Sequence, residues 1–213
     1  MPFLIQIPQT GNGNKEGTLT GPPTIMGRMK HGGKPLVELP YVAVDVETTG
    51  LAPSDGHRVC EIALLRFLRG TVVDSLVSFV NPLRPISPRA SAVNGITDAM
   101  VVRAPAFPDL FPRILDFLGE DTLVFHNAPF DISFLRMEAR VAGGEWPENP
   151  VIDTLALARR TGLFRNNSLS AICDRLGIGA SFHRAEADAY ATGKLLLALA
   201  SGGRVDTVRN RAR

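Results

Sequence analysis

The sequence is poor in cysteine, tryptophan and net charge. Cys60 and Cys173 are the only cysteines among 213 residues. Both lie in apolar stretches, Val59-Cys60-Glu61-Ile62 and Ala171-Ile172-Cys173, so buried free thiols are expected. Two isolated cysteines argue against a disulfide framework and against a cysteine-based zinc site, and they suit a reducing cytoplasm. A net charge of only +2 provides no broad basic field to announce nucleic acid, and nothing to rule it out. No stretch approaches the ~20 apolar residues of a membrane span. Phe3-Leu-Ile5 is too short for a signal-peptide core. A soluble cytoplasmic protein with no membrane association is the expectation. What is plentiful is apolar residue: 45% of the chain is ample for a core, and the length fits one domain with an appendage.

Residues 1–38 are rich in Gly, Pro, Thr and Lys, and no helical or strand period survives there. They read as a flexible or surface-draped arm, with a partner-docking peptide at Met1–Ile7 as the alternative. The folded domain is expected over 39–203, followed by a tail over 204–213.

The chain is organised around Tyr41-Val-Ala-Val-Asp-Val-Glu-Thr-Thr-Gly50. Its apolar opening lacks polar alternation, which predicts a strand buried on both faces. Asp45 and Glu47, two residues apart, share one face of it. Adjacent carboxylates at the end of a buried strand repel each other and require protons or a cation. A hard divalent ion with oxygen ligands answers that need. The pair alone is a weak signal, because strands often end in acids that face water.

Downstream, Arg58–Leu68 and Thr71–Val80 read as strands joined tightly at Arg69-Gly70, giving an antiparallel three-strand meander. The proline-rich stretch Asn81–Pro88 should be extended, with short helical turns at Ser91–Gly95 and Asp98–Val102. Phe107–Leu118 has helical period, and Thr122–Phe125 is a short buried strand. A helix follows from Pro129, then one more short strand at Val151-Ile152. Asp153 and Ser168 would cap the next two helices, and a last helix runs from about Glu186 to Ala200. This order predicts an α/β fold, a mixed sheet with helices on both faces. In such sheets the ligand crevice lies beyond the carboxyl ends of the central strands.

Two further stretches point at that crevice. His126-Asn-Ala-Pro-Phe-Asp131 places Asp131 in the first turn of a helix, where an acid also suits the helix dipole. In His183-Arg-Ala-Glu-Ala-Asp188, five residues within one helix are offset by about 140°. His183 and Asp188 converge only if His183 lies on the loop before the helix.

V-D-V-E-T-T-G, H-N-A-P-F-D and H-R-A-E-A-D, in that order, resemble the three motifs of the DEDDh 3′–5′ exonuclease family, to which the proofreading epsilon subunit of bacterial DNA polymerase III belongs. The match covers roughly residues 41–200. The resemblance implies a ribonuclease H-like fold holding two Mg2+ or Mn2+ ions. It makes Asp45, Glu47, Asp131 and Asp188 the acidic ligands and His183 the general base. It places Thr48, Thr49, Leu51 and Asn127 near the 3′-terminal nucleotide. One departure is Asn94-Gly-Ile, where the family commonly has His before Gly-Ile. An Asn94 side chain can hydrogen-bond a substrate but carries no positive charge.

Two metal ions ~4 Å apart can hold the attacking and leaving oxygens of a phosphodiester, and an imidazole can take a proton near neutrality. The expected activity is release of nucleoside 5′-monophosphates from the 3′ end of single-stranded DNA, in proofreading or repair. An RNA-trimming enzyme of the same superfamily and a non-catalytic nucleic-acid-binding or polymerase-docking module are the alternatives. Arg159, Arg160 and Arg165 form either solvated surface or a backbone track. Solvated surface is the better reading for Arg204, Arg209, Arg211 and Arg213. Trp146, in a Gly-rich turn, should pack at a loop edge.

Overall fold

A computed structural model describes residues 38–200, together with the backbone of Lys30–His31 and Lys34–Pro35. Those two short strands, β1 and β2, form an antiparallel ribbon. The remainder of the expected N-terminal arm, the Met1–Ile7 peptide and the tail with its arginines lie outside the described residues.

The main sheet has five strands, in the order β5-β4-β3-β6-β7. β3 (Tyr41–Thr48), β4 (Val59–Leu68) and β5 (Thr71–Phe79) form the antiparallel meander. β6 (Thr122–Phe125) and β7 (Val151–Asp153) add in parallel beside β3. β3 is therefore central, which explains its unbroken apolar opening. Its residues alternate between two cores. Val42, Val44 and Val46 pack with α3 (Phe107–Leu118) and α4 (Ala128–Val141). Tyr41 and Ala43 face α5 (Thr154–Thr161), α6 (Leu169–Leu176) and α7 (Ala185–Ala200). Helices thus cover both faces, as the apolar patterning predicts.

Asp153 and Ser168 cap α5 and α6 as expected, accepting from Leu155 N and Ala171 N. One boundary differs from expectation by more than a single residue. The first helix, α1, spans Pro88–Asn94 rather than starting at Ser91. Ser87 caps it through Ala90 N, and Pro88 occupies the first turn, where its missing N–H costs nothing. The turn expected next is α2 (Asp98–Val101). α1, α2 and the preceding loop enclose a small third core of Cys60, Ile86, Ile96 and Val101. Both cysteines are free and buried, and Trp146 is buried among α3 and α4 residues.

Candidate active site

Three stretches separated by more than fifty residues each converge at the carboxyl end of β3. Asp45 and Glu47 continue the face that carries Tyr41 and Ala43, so both point to the α7 side of the sheet. Asp188 comes from the first turn of α7. Among the described residues, ligand oxygens of Asp45, Glu47 and Asp188 lie within 4.8 Å of one another.

Asp131 reaches the same place from the other side of the sheet. β6 pairs with β3 only as far as Ala43–Val124, so the later part of β3 has no neighbour on that edge. The Val46 N–H left there donates to Asp131 Oδ1 at 3.2 Å. Asp131 lies in the first turn of α4 and is 4% exposed. It stands outside the close group of three and is fixed behind β3. Asn127 precedes α4 in the left-handed conformation with φ 78°. Its N–H donates to Asp153 Oδ1, so its backbone is committed to joining β6, β7 and α4.

His183 lies before α7, as convergence with Asp188 requires. Its N–H donates to Asp188 Oδ2 at 3.0 Å, and its side chain is exposed. Its φ of 69° is a left-handed conformation that a non-glycine residue adopts only when the chain around it is tied down.

The acids are charged only at a cost. Burial, reinforced by Asp131, Asp188 and Glu47, pushes the Asp45 carboxyl well above the usual carboxylate range. Burial and Asp188 push Glu47 up to about 7. Burial raises Asp131 to about 8 against the hydrogen bond from Val46. Asp188 is raised by burial and held back by His183. Asp188 Oδ1 is buried with no hydrogen-bond partner. A cluster that must bind protons when alone, with an orphaned carboxylate oxygen inside it, has the donor chemistry of a divalent-cation site.

Next to Glu47 opens a cleft of about 530 Å3, within the range of nucleotide-sized pockets. Thr48, Leu51 and Asn94 line it, together with His57, Arg89, Val93 and Phe130. Leu51 is an apolar side chain left 70% exposed. Thr49 does not line the cleft. It is fully buried, its hydroxyl accepting from Arg58 N and pairing with His57 Nδ1. Asn94 borders the cleft while its amide works internally: Oδ1 accepts from Ile96 N, and Nδ2 donates to the Thr48 carbonyl at 3.4 Å.

Sequence reasoning passes over Glu61, His57 and Phe130. Glu61 is 2% exposed and sits opposite Glu47 in the β3–β4 register. The signal available was an acid inside the otherwise apolar stretch Val59–Leu65.

Comparison with known proteins identifies the family. A family model described as Exonuclease (RNase_T) matches residues 42–196. A DNA polymerase III PolC-type protein of Bacillus cereus is 42% identical over 166 residues, 76% of this chain and 11% of that protein. A DNA polymerase III subunit epsilon-like protein of Rhodobacter capsulatus is 41% identical over 171 residues, 78% of this chain and 24% of that protein. The chain thus spans a quarter or less of the length of these relatives. Among solved structures, Exonuclease X in complex with 5′ overhanging duplex DNA superposes with a TM-score of 0.60 at 32% identity, covering 74% of this chain and 89% of that one. The fold is the α/β, ribonuclease H-like fold of these enzymes, and the chain belongs to the RNase_T exonuclease family of 3′–5′ exonucleases.

Proposed function

We propose that the protein hydrolyses phosphodiester bonds from the 3′ end of single-stranded DNA, releasing nucleoside 5′-monophosphates. The observation that carries this reading is the meeting of Asp45, Glu47 and Asp188 within 4.8 Å beside a nucleotide-sized cleft. Asp45, Glu47, Asp131 and Asp188 would hold two Mg2+ or Mn2+ ions. When bound, such ions supply charge neutralisation and Lewis-acid activation to the phosphodiester.

The chain's own residues do the rest. Leu51 and Val93 offer apolar surface to the terminal base, and Thr48 borders the sugar. Asn127 sits at the helix start behind Asp131 and shapes the site through its backbone. His183, exposed beside Asp188, takes a proton from the attacking water. The water oxygen bonds to phosphorus, the bond from phosphorus to the 3′ oxygen of the preceding nucleotide breaks, and that oxygen leaves as a hydroxyl after protonation. The DNA polymerase III relatives and the duplex-bound Exonuclease X favour DNA over RNA. Association with a DNA polymerase, and a role in proofreading or repair, follow the same relatives.

Labelled single-stranded DNA and a matched RNA oligomer, each with Mg2+ or EDTA, test this reading. Stepwise loss of 3′ nucleotides from DNA in Mg2+, abolished by EDTA and by Asp45→Ala, is the expected result. Faster trimming of RNA would reverse the assigned sugar, and full activity of Asp45→Ala would remove the site.

A further inference from the structure

Glu61 is a buried acid beside the metal-site acids, yet it is not free to join them. Its carboxylate is filled by one segment. Arg184 Nε donates to both oxygens, at 3.2 and 3.1 Å, and a terminal nitrogen of the same guanidinium donates to Oε1 at 2.5 Å. Ala185 N donates to Oε2 at 3.0 Å. The Arg184 guanidinium also lies over the Phe79 ring, 5.1 Å from its centre. Arg184 is the residue after His183, and His183 N is itself tied to Asp188. The chain is therefore anchored at His183 N and again at Ala185 N, and left-handed His183 itself carries the first anchor.

We propose that Glu61 and Arg184 form a positioning clamp for His183, holding the segment before α7 on β4 so that the imidazole is presented to the acids. This rests on the reading of His183 as the base. A planar guanidinium forked on a buried carboxylate resists rotation in a way that one ammonium contact does not. The clamp also gives Glu61 a cation of its own, which leaves the divalent ions to the four other acids. The rival explanation of an arginine here, a direct contact with a substrate phosphate, makes a different kinetic prediction.

The test is a set of cycles: Glu61→Gln, Arg184→Met and Arg184→Lys, each alone and with His183→Ala, plus Glu61→Gln with Arg184→Met. kcat and KM are measured on labelled single-stranded DNA, and the Mg2+ concentration for half-activity is recorded. A displaced base costs on the order of tenfold to a hundredfold in kcat. Glu61→Gln and Arg184→Met should show that loss with KM and the Mg2+ midpoint nearly unchanged. Their double variant should be no worse than either alone, and Arg184→Lys should recover part of the activity. With His183→Ala, neither clamp variant should lower kcat further.

A raised KM with intact kcat in Arg184→Met would make the arginine a phosphate contact and overturn the clamp. So would equal losses with and without His183. A deep loss in His183→Ala beside wild-type kcat in the clamp variants would remove the clamp and leave the base. Wild-type kcat in His183→Ala would remove the base first. If Glu61→Gln does not fold, Arg184→Met, changed at a side chain 47% exposed, decides the matter alone.

Discussion

The Tyr41 hydroxyl donates to the Gly193 carbonyl across 152 residues of sequence, at 3.1 Å. This bond ties the strand that carries Asp45 and Glu47 to the helix that carries Asp188. Tyr41 also stacks on Phe67 with ring centres 5.2 Å apart, and the Phe67 ring fills the space beside Gly193. A Cβ at Gly193 would overlap that ring. Gly193→Ala should therefore destabilise the protein by about 1–3 kcal/mol, despite alanine's better helix propensity. Urea denaturation measures it, and an unchanged or raised midpoint would mean that the ring moves aside freely.

The second prediction concerns pH. Glu47 and Asp131 are raised to about 7 and about 8, against 4.5 and 3.8 for the free groups. A raised acid binds its proton more tightly in the folded state, so its contribution is fully present below the unfolded value and fades as pH climbs through the folded one. The metal-free protein should lose thermal stability progressively from about pH 4 to about pH 8. Mg2+ should raise Tm far more at the upper end of that window than at the lower. Melting curves with EDTA or Mg2+ across this range check both, and a metal-free Tm that rises with pH would contradict the charge crowding.

The third separates stability from activity at the same residue. Asp45 is crowded by Asp131, Asp188 and Glu47. Asp45→Asn removes one charge while nearly conserving shape. The metal-free variant should melt above the parent at neutral pH, and its hydrolysis of single-stranded DNA should fall below detection. A lower Tm would show that the carboxylate makes stabilising contacts outweighing the repulsion.

Elsewhere a buried ion pair is structural. Arg58 Nε donates to Glu138 Oε1 at 2.8 Å, a terminal nitrogen donates to Oε2 at 2.6 Å, and Val59 N also reaches Oε1. Glu138 is fully buried. Arg58→Met leaves that carboxylate without its cation, which typically costs about 3–5 kcal/mol. Chemical denaturation of Arg58→Met and of the paired variant with Glu138→Leu should show the second change restoring much of the loss.

At the cleft, Leu51→Ala should raise KM severalfold with little change in kcat, since about 1 kcal/mol of apolar contact with the terminal base is at stake. Steady-state kinetics on a short oligonucleotide decide it. An unchanged KM would place the base elsewhere.

The sheet was readable because two of its strands, β3 and β4, bury both faces: Val42-Ala-Val44 and Ile62–Leu65 leave little room for another interpretation. Helices declared themselves through caps such as Ser168 and Asp153. α1 was harder, because three prolines suggest extended chain, and only the Ser87 hydroxyl bond makes Pro88 a helix start. At the site, the acids and His183 belong to recognisable local patterns. Glu61 does not, because its meaning depends on a partner 123 positions away. Thr49 and Asn94 illustrate the converse. Their types suit substrate contact, while hydrogen bonds to His57, Arg58 and Ile96 engage them within the fold.

The pairing of β3 with α7 has a consequence for the nascent protein. The first two acids emerge from the ribosome some 140 residues ahead of the fourth, and long-range closure of this kind is slow. Until α7 docks, the early strand presents Asp45 and Glu47 without Asp188 beside them. Cutting power would thus be withheld until α7 has been made and has docked against β3.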